Sequence, residues 1–248
     1  MPVTPAHALA AWPIRRLVPA LPLSALIIGA LSPDYEYFLR LAPVTRAGHR
    51  PEGLIFFCIP VSMTLWVVFR RIVRPAIVEL LPPGLGRALG PASRSWSLAF
   101  LAVILGAISH IVWDGFTHQG DWGVRLLPAL KIRPFPHVLP LPWFRLLQHG
   151  SSTVGLVLLM VWAASWIFAQ PPSARRFAPG QFHRAARVVS IILLVSAACA
   201  VANGWVAARH LWAFDLGRAA VGAMAGCAAS VLLYALWRTA ATVQRASP

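Results

Sequence analysis

Charged residues are scarce in this chain of 248 residues. They make up 12% of the sequence, whereas hydrophobic residues make up 58% and the mean hydropathy is +0.67. A soluble domain carries about 25% charged residues, because its surface must interact favourably with water. The scarcity of charge therefore argues against a water-soluble domain and predicts an integral membrane protein.

Acidic residues and cysteines are rarer still, and each shortage narrows the possible functions. The chain has seven Asp and Glu residues against 22 Lys and Arg, a formal net charge of +15. The basic residues stand singly or in pairs between apolar runs, which is typical of loops beside membrane spans, so we predict no nucleic-acid partner. The three cysteines lie inside apolar runs without close spacing, which indicates neither a disulfide framework nor a thiolate metal site.

Long apolar runs make up much of the sequence. Five of them approach or reach the roughly 20 residues that span a bilayer, and none contains Lys, Arg, Asp or Glu. A backbone in lipid must satisfy its own hydrogen bonds, and the runs lack the alternation of β-barrel strands, so we predict helices. The expected fold is an all-α polytopic transmembrane bundle of five spans, with a short or re-entrant helix at residues 17–31. The predicted spans are residues 54–69, 96–113, 153–168, 188–208 and 219–237.

Charged residues divide unequally between the two faces of the predicted bundle. Counted along alternating spans, 13 basic residues fall on one face and nine on the other, so the positive-inside tendency makes the first face cytoplasmic. Of the seven acidic residues, only Glu79 falls on that face. The non-cytoplasmic face holds the other six, and membrane topology does not explain this enrichment.

Three histidines and an aspartate from separate passages of the chain converge on the acid-rich face. Asp34 follows the N-terminal segment, and His49 precedes the first long span. His110 lies near the end of the second span, and His149 precedes the third. Ionisable residues at membrane depth are costly and are functional by default, so we interpret the group as a metal site.

The segment SHIVWDGFTH adds two further ligands at helical spacing. His110, Asp114 and His118 advance by only about 40° at each step of four residues, so all three project from one stripe of a helix. An Asp one turn after a His is also common as a plain surface pair, but the convergence of the other passages favours a metal ion. Imidazole with carboxylate suits zinc, with manganese or iron as alternatives. Asp34 and Asp114 are the carboxylates that could bridge two ions or orient a nucleophile.

His7 stands before the first apolar segment, and its position depends on that segment. If residues 17–31 span the membrane fully, His7 lies on the wrong face for the cluster. If they form a re-entrant helix, His7 can join it. The residues by themselves leave both arrangements open.

Several phrases of the chain resemble a known family. MPVTPAHAL, LIIGALSPDYEYFLRL, GHRPEGLIFF, LGAISHIVWDGFTHQGDW and LLQHGSS are together similar to an uncharacterised bacterial multi-pass family of unknown function, akin to YdjM-like membrane-bound metal-dependent hydrolases. That group is distantly similar to zinc-dependent phospholipase C and related nucleases. The resemblance covers roughly residues 1–170, although a second histidine often found in the family phrase has no counterpart after GHRPEG. The ligands that it implies are His7, Asp34, His49, His110, Asp114, His118 and His149.

These patterns predict a membrane-embedded metal-site core over residues 1–170 and a C-terminal transmembrane helix pair of unknown role over residues 171–248. If the cluster holds zinc, the expected chemistry is metal-assisted hydrolysis, because the ion acidifies water and screens a phosphoester oxygen. A site at the headgroup level favours membrane lipids as partners and phosphoesters of lipid or lipid-linked compounds as substrates. We expect a bacterial inner membrane, with the site on its non-cytoplasmic face.

The alternative is a non-catalytic integral membrane protein, either a transporter or a protein that holds metal for structure. A transporter places polar groups at the midplane of the bilayer, and the long apolar runs are nearly free of them. A haem-binding cytochrome would pair histidines inside helices without carboxylates beside them, which the acid-rich cluster disfavours.

Overall fold

The protein is built from helices. The computed structural model describes residues 4–44, 47–208 and 214–246, and these described residues contain no β-strand, only an isolated bridge between Phe135 and Leu139. This confirms the predicted all-α class. We number the helices α1 Ala11–Leu17, α2 Leu23–Leu31, α3 Tyr35–Arg40, α4 Pro51–Leu80, α5 Pro83–Ala88, α6 Trp96–Thr117, α7 Trp122–Leu126, α8 Trp143–Ala169, α9 Gln181–Ala208 and α10 Leu216–Ala246.

Five of the described helices, α4, α6, α8, α9 and α10, are long and apolar enough to cross a membrane. At most 33% of the most apolar stretch of any of them is buried inside the protein, so most of their apolar side chains face outward. Exposed apolar surface of this extent is suited to lipid and not to water. The protein is therefore a multi-pass membrane protein, and the prediction of five spans is confirmed.

Each span extends beyond its predicted apolar run, because the helix ends contain polar residues and prolines, which have low hydropathy and were left out of the run. α4 begins with Pro51, whose fixed φ suits the first turn of a helix, and ends before Leu81, which is extended. α6 begins after Ser95, whose hydroxyl accepts a hydrogen bond from the backbone N–H of Leu98 at 3.3 Å. This bond satisfies one of the free N–H groups at the start of the helix.

The N-terminal apolar segment forms two short helices and no span. α1 ends at Leu17 and α2 begins at Leu23, after Pro22 in an extended conformation with ψ 118°. The nine residues of α2 rise about 14 Å, whereas the hydrocarbon core of a bilayer is about 30 Å thick. The short N-terminal helix predicted for residues 17–31 is confirmed, and the arrangement in which this segment crosses the membrane is excluded.

The chain divides into two compact units, and the first comprises residues 1–35, 45–64 and 93–163. Its core is α2 packed along α6 through two glycines. A Cβ atom added at Gly29 would lie 2.3 Å from the carbonyl oxygen of Val103, and one added at Gly106 would lie 2.3 Å from that of Leu26. Small residues that let two backbones approach closely are typical of membrane helix pairs. This packing holds the C-terminal end of α2 against α6.

The second unit comprises residues 36–44, 65–92 and 164–248, and its core is the pair formed by α9 and α10. Gly222 and Gly226 of α10 face Cys199 of α9, and a Cβ added at either would lie within 2.8 Å of an atom of Cys199. Small residues four apart are a common contact pattern of transmembrane helices. The predicted functional division after residue 170 stays a prediction.

Candidate metal centre

Four ionisable side chains of the first unit meet at one point. Asp34, His49, His110 and Asp114 each offer one ligand atom, and these atoms all lie within 4.8 Å of one another. They come from the turn after α2, from the loop before α4 and from α6. The convergence that membrane topology predicts is therefore present for these four residues.

Two further histidines border this group. Nε2 of His7 lies 3.4 Å from Oδ1 of Asp114, and the ring of His7 stacks on that of His110 with centroids 3.7 Å apart. Nδ1 of His118 lies 3.6 Å from the same oxygen of Asp114. α6 ends at Thr117, so His118 approaches from an extended residue after the helix. The predicted helical stripe thus holds for His110 and Asp114 and ends before His118.

Asp114 lies in the middle of the group, and its two carboxylate oxygens face different partners. Oδ2 lies 3.1 Å from Nε2 of His49 and 3.2 Å from Nε2 of His110. Oδ1 faces His7 and His118. Nε2 of His49 lies 3.7 Å from Oδ1 of Asp34, and Nε2 of His110 lies 3.6 Å from the same oxygen. Each oxygen of the Asp114 carboxylate therefore faces two imidazole nitrogens.

Neighbouring groups orient two of these ligands. Nδ1 of His110 donates a hydrogen bond to the carbonyl oxygen of Ala30 at 2.7 Å, so Nε2 faces the carboxylates and carries a lone pair whenever this imidazole is neutral. The hydroxyl of Thr4 donates to Oδ2 of Asp34 at 2.6 Å and leaves Oδ1 for the cluster. Such partners fix the tautomer and direction of metal ligands in known sites. The close packing of α2 on α6 is what brings Ala30 to His110.

The cluster is buried on one side and accessible on the other. Four of its side chains expose 3% or less of their surface, whereas those of His49 and His118 expose 23% and 28%. Burial disfavours the charged imidazolium and, together with the nearby His110, lowers the pKa of His7 to about 3. His7 is therefore neutral at physiological pH and keeps a lone pair for a ligand.

Several buried atoms of the cluster lack a hydrogen-bond partner among the described residues. Nε2 of His110 lies 3.2 Å from Oδ2 of Asp114 in a buried place, without hydrogen-bond geometry. The two atoms repel each other unless a proton or a metal ion lies between them. Leaving a buried polar atom unsatisfied costs about 1–3 kcal/mol. The atoms without a hydrogen bond are Nδ1 and Nε2 of His7, Oδ1 of Asp34, Nδ1 of His49, Nε2 of His110 and Oδ1 of Asp114.

The spacing of these atoms suits a divalent ion. Ligands about 2.1 Å from a tetrahedral zinc ion lie about 3.4 Å from one another. The described contacts between imidazole nitrogens and carboxylate oxygens of the cluster measure 3.1 to 3.7 Å, and of these only the contact of His49 with Asp114 has hydrogen-bond geometry. The cluster could hold a metal ion by both its chemistry and its spacing.

The family described as Domain of unknown function (DUF4184) matches residues 1–236. The chain belongs to the DUF4184 family. Comparisons with curated proteins and with solved structures gave no match. The predicted resemblance to a family of unknown function is confirmed in this form, while nothing found links DUF4184 to YdjM-like hydrolases or to phospholipase C. The DUF4184 match also reaches beyond the predicted residues 1–170 into α10.

His149 lies apart from the cluster of this DUF4184 protein. Its side chain is exposed on α8, and no contact in the described part of the chain joins it to the other predicted ligands. The preceding residue, Gln148, is buried and contacts Nε2 of His118 at 3.0 Å. Adjacent residues point about 100° apart on a helix, so only one of the two can face the cluster. The structure brings six of the seven predicted ligands together and leaves out His149.

Gln148 and Thr4 contact residues of the cluster, His118 and Asp34 respectively, and the sequence did not lead us to predict either contact. A signal for Gln148 was present, because Phe144, Gln148 and Ser152 repeat every four residues and form the buried stripe of α8. Thr4 offered no comparable signal, since its role depends on a hydrogen bond to a residue 30 positions away.

Proposed function

We propose that this protein is a membrane-bound metal-dependent hydrolase that acts on phosphoesters of lipid or lipid-linked substrates. The observation that carries the proposal is the buried contact between Nε2 of His110 and Oδ2 of Asp114. Because Ala30 accepts the hydrogen on Nδ1 of His110, a neutral His110 directs the lone pair of Nε2 at this carboxylate oxygen, and both atoms can then coordinate a metal ion. Without a metal ion, a proton on Nε2 must occupy the same place.

The first ion would be held by Oδ1 of Asp34, Nε2 of His49, Nε2 of His110 and Oδ2 of Asp114. Oδ1 of Asp114, with His7 and His118 beside it, offers a second position. We propose zinc, with manganese or iron as alternatives, because neutral imidazole and carboxylate suit all three. The charges of Asp34 and Asp114 balance part of the positive charge of the ions.

Accessibility supports catalysis over a purely structural role. Structural metal sites are closed by protein ligands, whereas catalytic sites keep a position open for water or substrate. The side of the cluster formed by His49 and His118 is accessible, and the side formed by His7 and His110 is closed. When bound, a divalent ion supplies a Lewis acid that polarises a phosphoester oxygen and acidifies water. His49 and His118 border the side from which substrate enters.

The position of the cluster supports a lipid phosphoester as the substrate. His49 precedes α4 and His118 follows α6, so the accessible side lies where two membrane spans begin and end. Span ends lie near the lipid headgroups. A phosphate linked to a lipid would reach this level without leaving the bilayer. The distribution of basic residues supports a non-cytoplasmic site in a bacterial inner membrane.

Substitution of His110 or Asp34 tests the function. We expect His110→Ala and Asp34→Ala to lower both the bound metal and the phosphoester turnover. Turnover should fall at least about 100-fold, because losing even an outer partner of a metal site can cost that much and these two residues are ligands. The full-length protein is purified in detergent after expression with added metal. Metal content is measured by mass spectrometry, and turnover is measured with phosphodiester and phosphomonoester substrates.

His137→Ala is the matched control, because His137 is an exposed histidine of the same unit outside the cluster. It should retain metal and turnover. Wild-type protein without bound metal would contradict the proposal. Bound metal without turnover on either substrate class would instead support a structural metal site, the non-catalytic alternative.

Thr4→Val is expected to weaken metal binding about 10- to 100-fold, the usual effect of losing a partner that orients a ligand. The valine has nearly the same shape but cannot donate to Oδ2 of Asp34, so this carboxylate is no longer held. Thr4→Ser keeps the hydroxyl and should restore affinity. A competition titration with a chromophoric chelator measures both constants, and equal affinities for the Val and Ser variants would refute the orienting role.

A further inference from the structure

The second unit contains an open pocket that the metal centre does not use. Its volume is about 590 Å³, and all of its lining residues belong to this unit. Lining residues come from the end of α4, from the start of α9 and from the last turns of α10. Three membrane spans therefore have an end beside the pocket, which puts it at the level of the lipid headgroups.

Basic side chains dominate the charged lining of this pocket. Arg87, Arg184 and Arg238 line it together with a single acid, Glu79. Nε of Arg238 donates to Oε2 of Glu79 at 2.8 Å, and a second guanidinium nitrogen contacts the same oxygen, so this pair is neutral. Arg87 and Arg184 are exposed, and neither guanidinium forms a hydrogen bond or ion pair with the described residues. The pocket thus keeps two uncompensated positive charges.

Gln181 holds the wall of the pocket in place. Its side-chain nitrogen donates to the carbonyl oxygens of Glu79 at 2.9 Å and Leu81 at 2.7 Å. Its side-chain oxygen accepts from the backbone N–H of Ala178 at 3.0 Å. One side chain therefore joins the C-terminal end of α4 to the segment that starts α9, from which Arg184 projects. A wall fixed before binding reduces the entropy that a ligand must offset.

We propose that this pocket binds the phosphate group of a phosphomonoester. Such a group carries between one and two negative charges near pH 7, which matches the free charges of Arg87 and Arg184. The planar guanidinium group donates paired hydrogen bonds to phosphate oxygens, which a lysine ammonium cannot do. Val78, Leu81 and Pro83 also line the pocket and can contact the carbon atoms beside the phosphate.

The ligand is either an anionic lipid headgroup or a soluble phosphate compound. Basic pockets between membrane helices on the cytoplasmic side bind phosphorylated lipid headgroups. The segments that contribute the three arginines all fall on the face that the charge distribution predicts to be cytoplasmic. Both sources share the same phosphate chemistry, and the probes below distinguish them.

Binding is measured on the full-length protein in detergent by native mass spectrometry with three probes. Dioleoyl phosphatidate presents a phosphomonoester on a lipid, dioleoyl phosphatidylcholine presents a neutral headgroup, and inorganic phosphate presents the anion alone. We expect phosphatidate to bind at least about tenfold more tightly than phosphatidylcholine, a difference that corresponds to about 1.4 kcal/mol. Displacement of phosphatidate by an equal concentration of inorganic phosphate would identify a soluble ligand, and failure to displace it would identify a lipid.

The double variant Arg87→Ala/Arg184→Ala should weaken phosphatidate binding at least about tenfold, because both unpaired guanidinium groups are lost. The matched control is Arg176→Ala/Arg187→Ala, which removes two exposed arginines of the same unit that do not line the pocket. It should bind like the wild type. Equal weakening in both double variants, or equal binding of phosphatidate and phosphatidylcholine, would overturn the proposal. Neither outcome affects the metal centre, whose test is metal content and turnover.

Discussion

Asp114→Asn is expected to remove nearly all bound metal and to abolish phosphoester turnover. Asp114 is the residue that contacts every histidine of the cluster, with two imidazoles beside each of its oxygens. The substitution replaces one acceptor oxygen by an N–H donor and removes a negative charge. Loss of a mere outer partner of a metal site costs up to about 100-fold in affinity, so loss of a shared ligand should cost at least that much.

Metal content by mass spectrometry and a zinc competition titration give the result for this variant. Glu52→Gln is the matched control, because Glu52 is an exposed acidic residue of the same unit and is not one of the grouped ligands. It should bind metal like the wild type. A monodisperse Asp114→Asn protein with wild-type metal content would show that the cluster is not a metal centre.

The wild type offers a further comparison for Asp114→Asn. A ligand that binds only the folded state stabilises it, so chelation should lower the melting temperature of the wild-type protein. The same chelator should leave the melting temperature of Asp114→Asn almost unchanged, since that variant has little metal to lose. A large and equal shift in both proteins would mean that the chelator acts elsewhere.

Gly106→Ala is expected to destabilise the protein by about 1–3 kcal/mol, the usual cost of overpacking. The new Cβ would lie 2.3 Å from the carbonyl oxygen of Leu26 and 2.6 Å from the backbone nitrogen of Ala30. These are backbone atoms, so a rotamer change cannot relieve the clash and α2 must move away from α6. Because Ala30 orients His110, the variant should also bind metal less tightly.

Gly150→Ala is the matched control for this effect. Gly150 also lies in a membrane-spanning helix, but apart from its chain neighbours and the backbone of its own helix no heavy atom lies within 4 Å of a Cβ added there. Replacing a helical glycine by alanine then gains up to about 1 kcal/mol. Thermal denaturation in detergent should place Gly106→Ala below the wild type and Gly150→Ala at or above it. Equal midpoints for the two variants would contradict the tight packing of α2 on α6.

The architecture was predictable because it depends on local composition. A bilayer requires a continuous apolar helix of a given length, and that requirement can be evaluated along the chain without knowledge of its tertiary contacts. The five apolar runs therefore predicted the five spans, although α4, α8, α9 and α10 each extend at least seven residues beyond the predicted run at one end. Whether the N-terminal segment crosses the membrane was left open by the sequence, and the structure shows two short helices there, the second of which begins after Pro22.

Part of the metal centre was predictable for the same reason. His110 and Asp114 are one helical turn apart, and membrane topology places Asp34 and His49 near that end of α6. Spacing and topology define the level of a residue in the bilayer but not the direction in which its side chain points. His149 illustrates this difference: it is at the predicted level, yet the phase of α8 turns Gln148 inward in its place.

The sequence by itself determined that the protein is a multi-pass helical membrane protein with histidines and aspartates gathered at the ends of its spans. Only the tertiary structure decided that His7 stacks on His110, that Thr4 holds Asp34, and that arginines from separate segments surround one pocket. The physical reason is the separation along the chain of the residues that interact. Burial in lipid depends on the hydropathy of neighbouring residues, which the sequence shows directly. The contacts of His7, Thr4 and the arginines depend on how closely helices from distant parts of the chain pack, and a glycine such as Gly106 controls that distance.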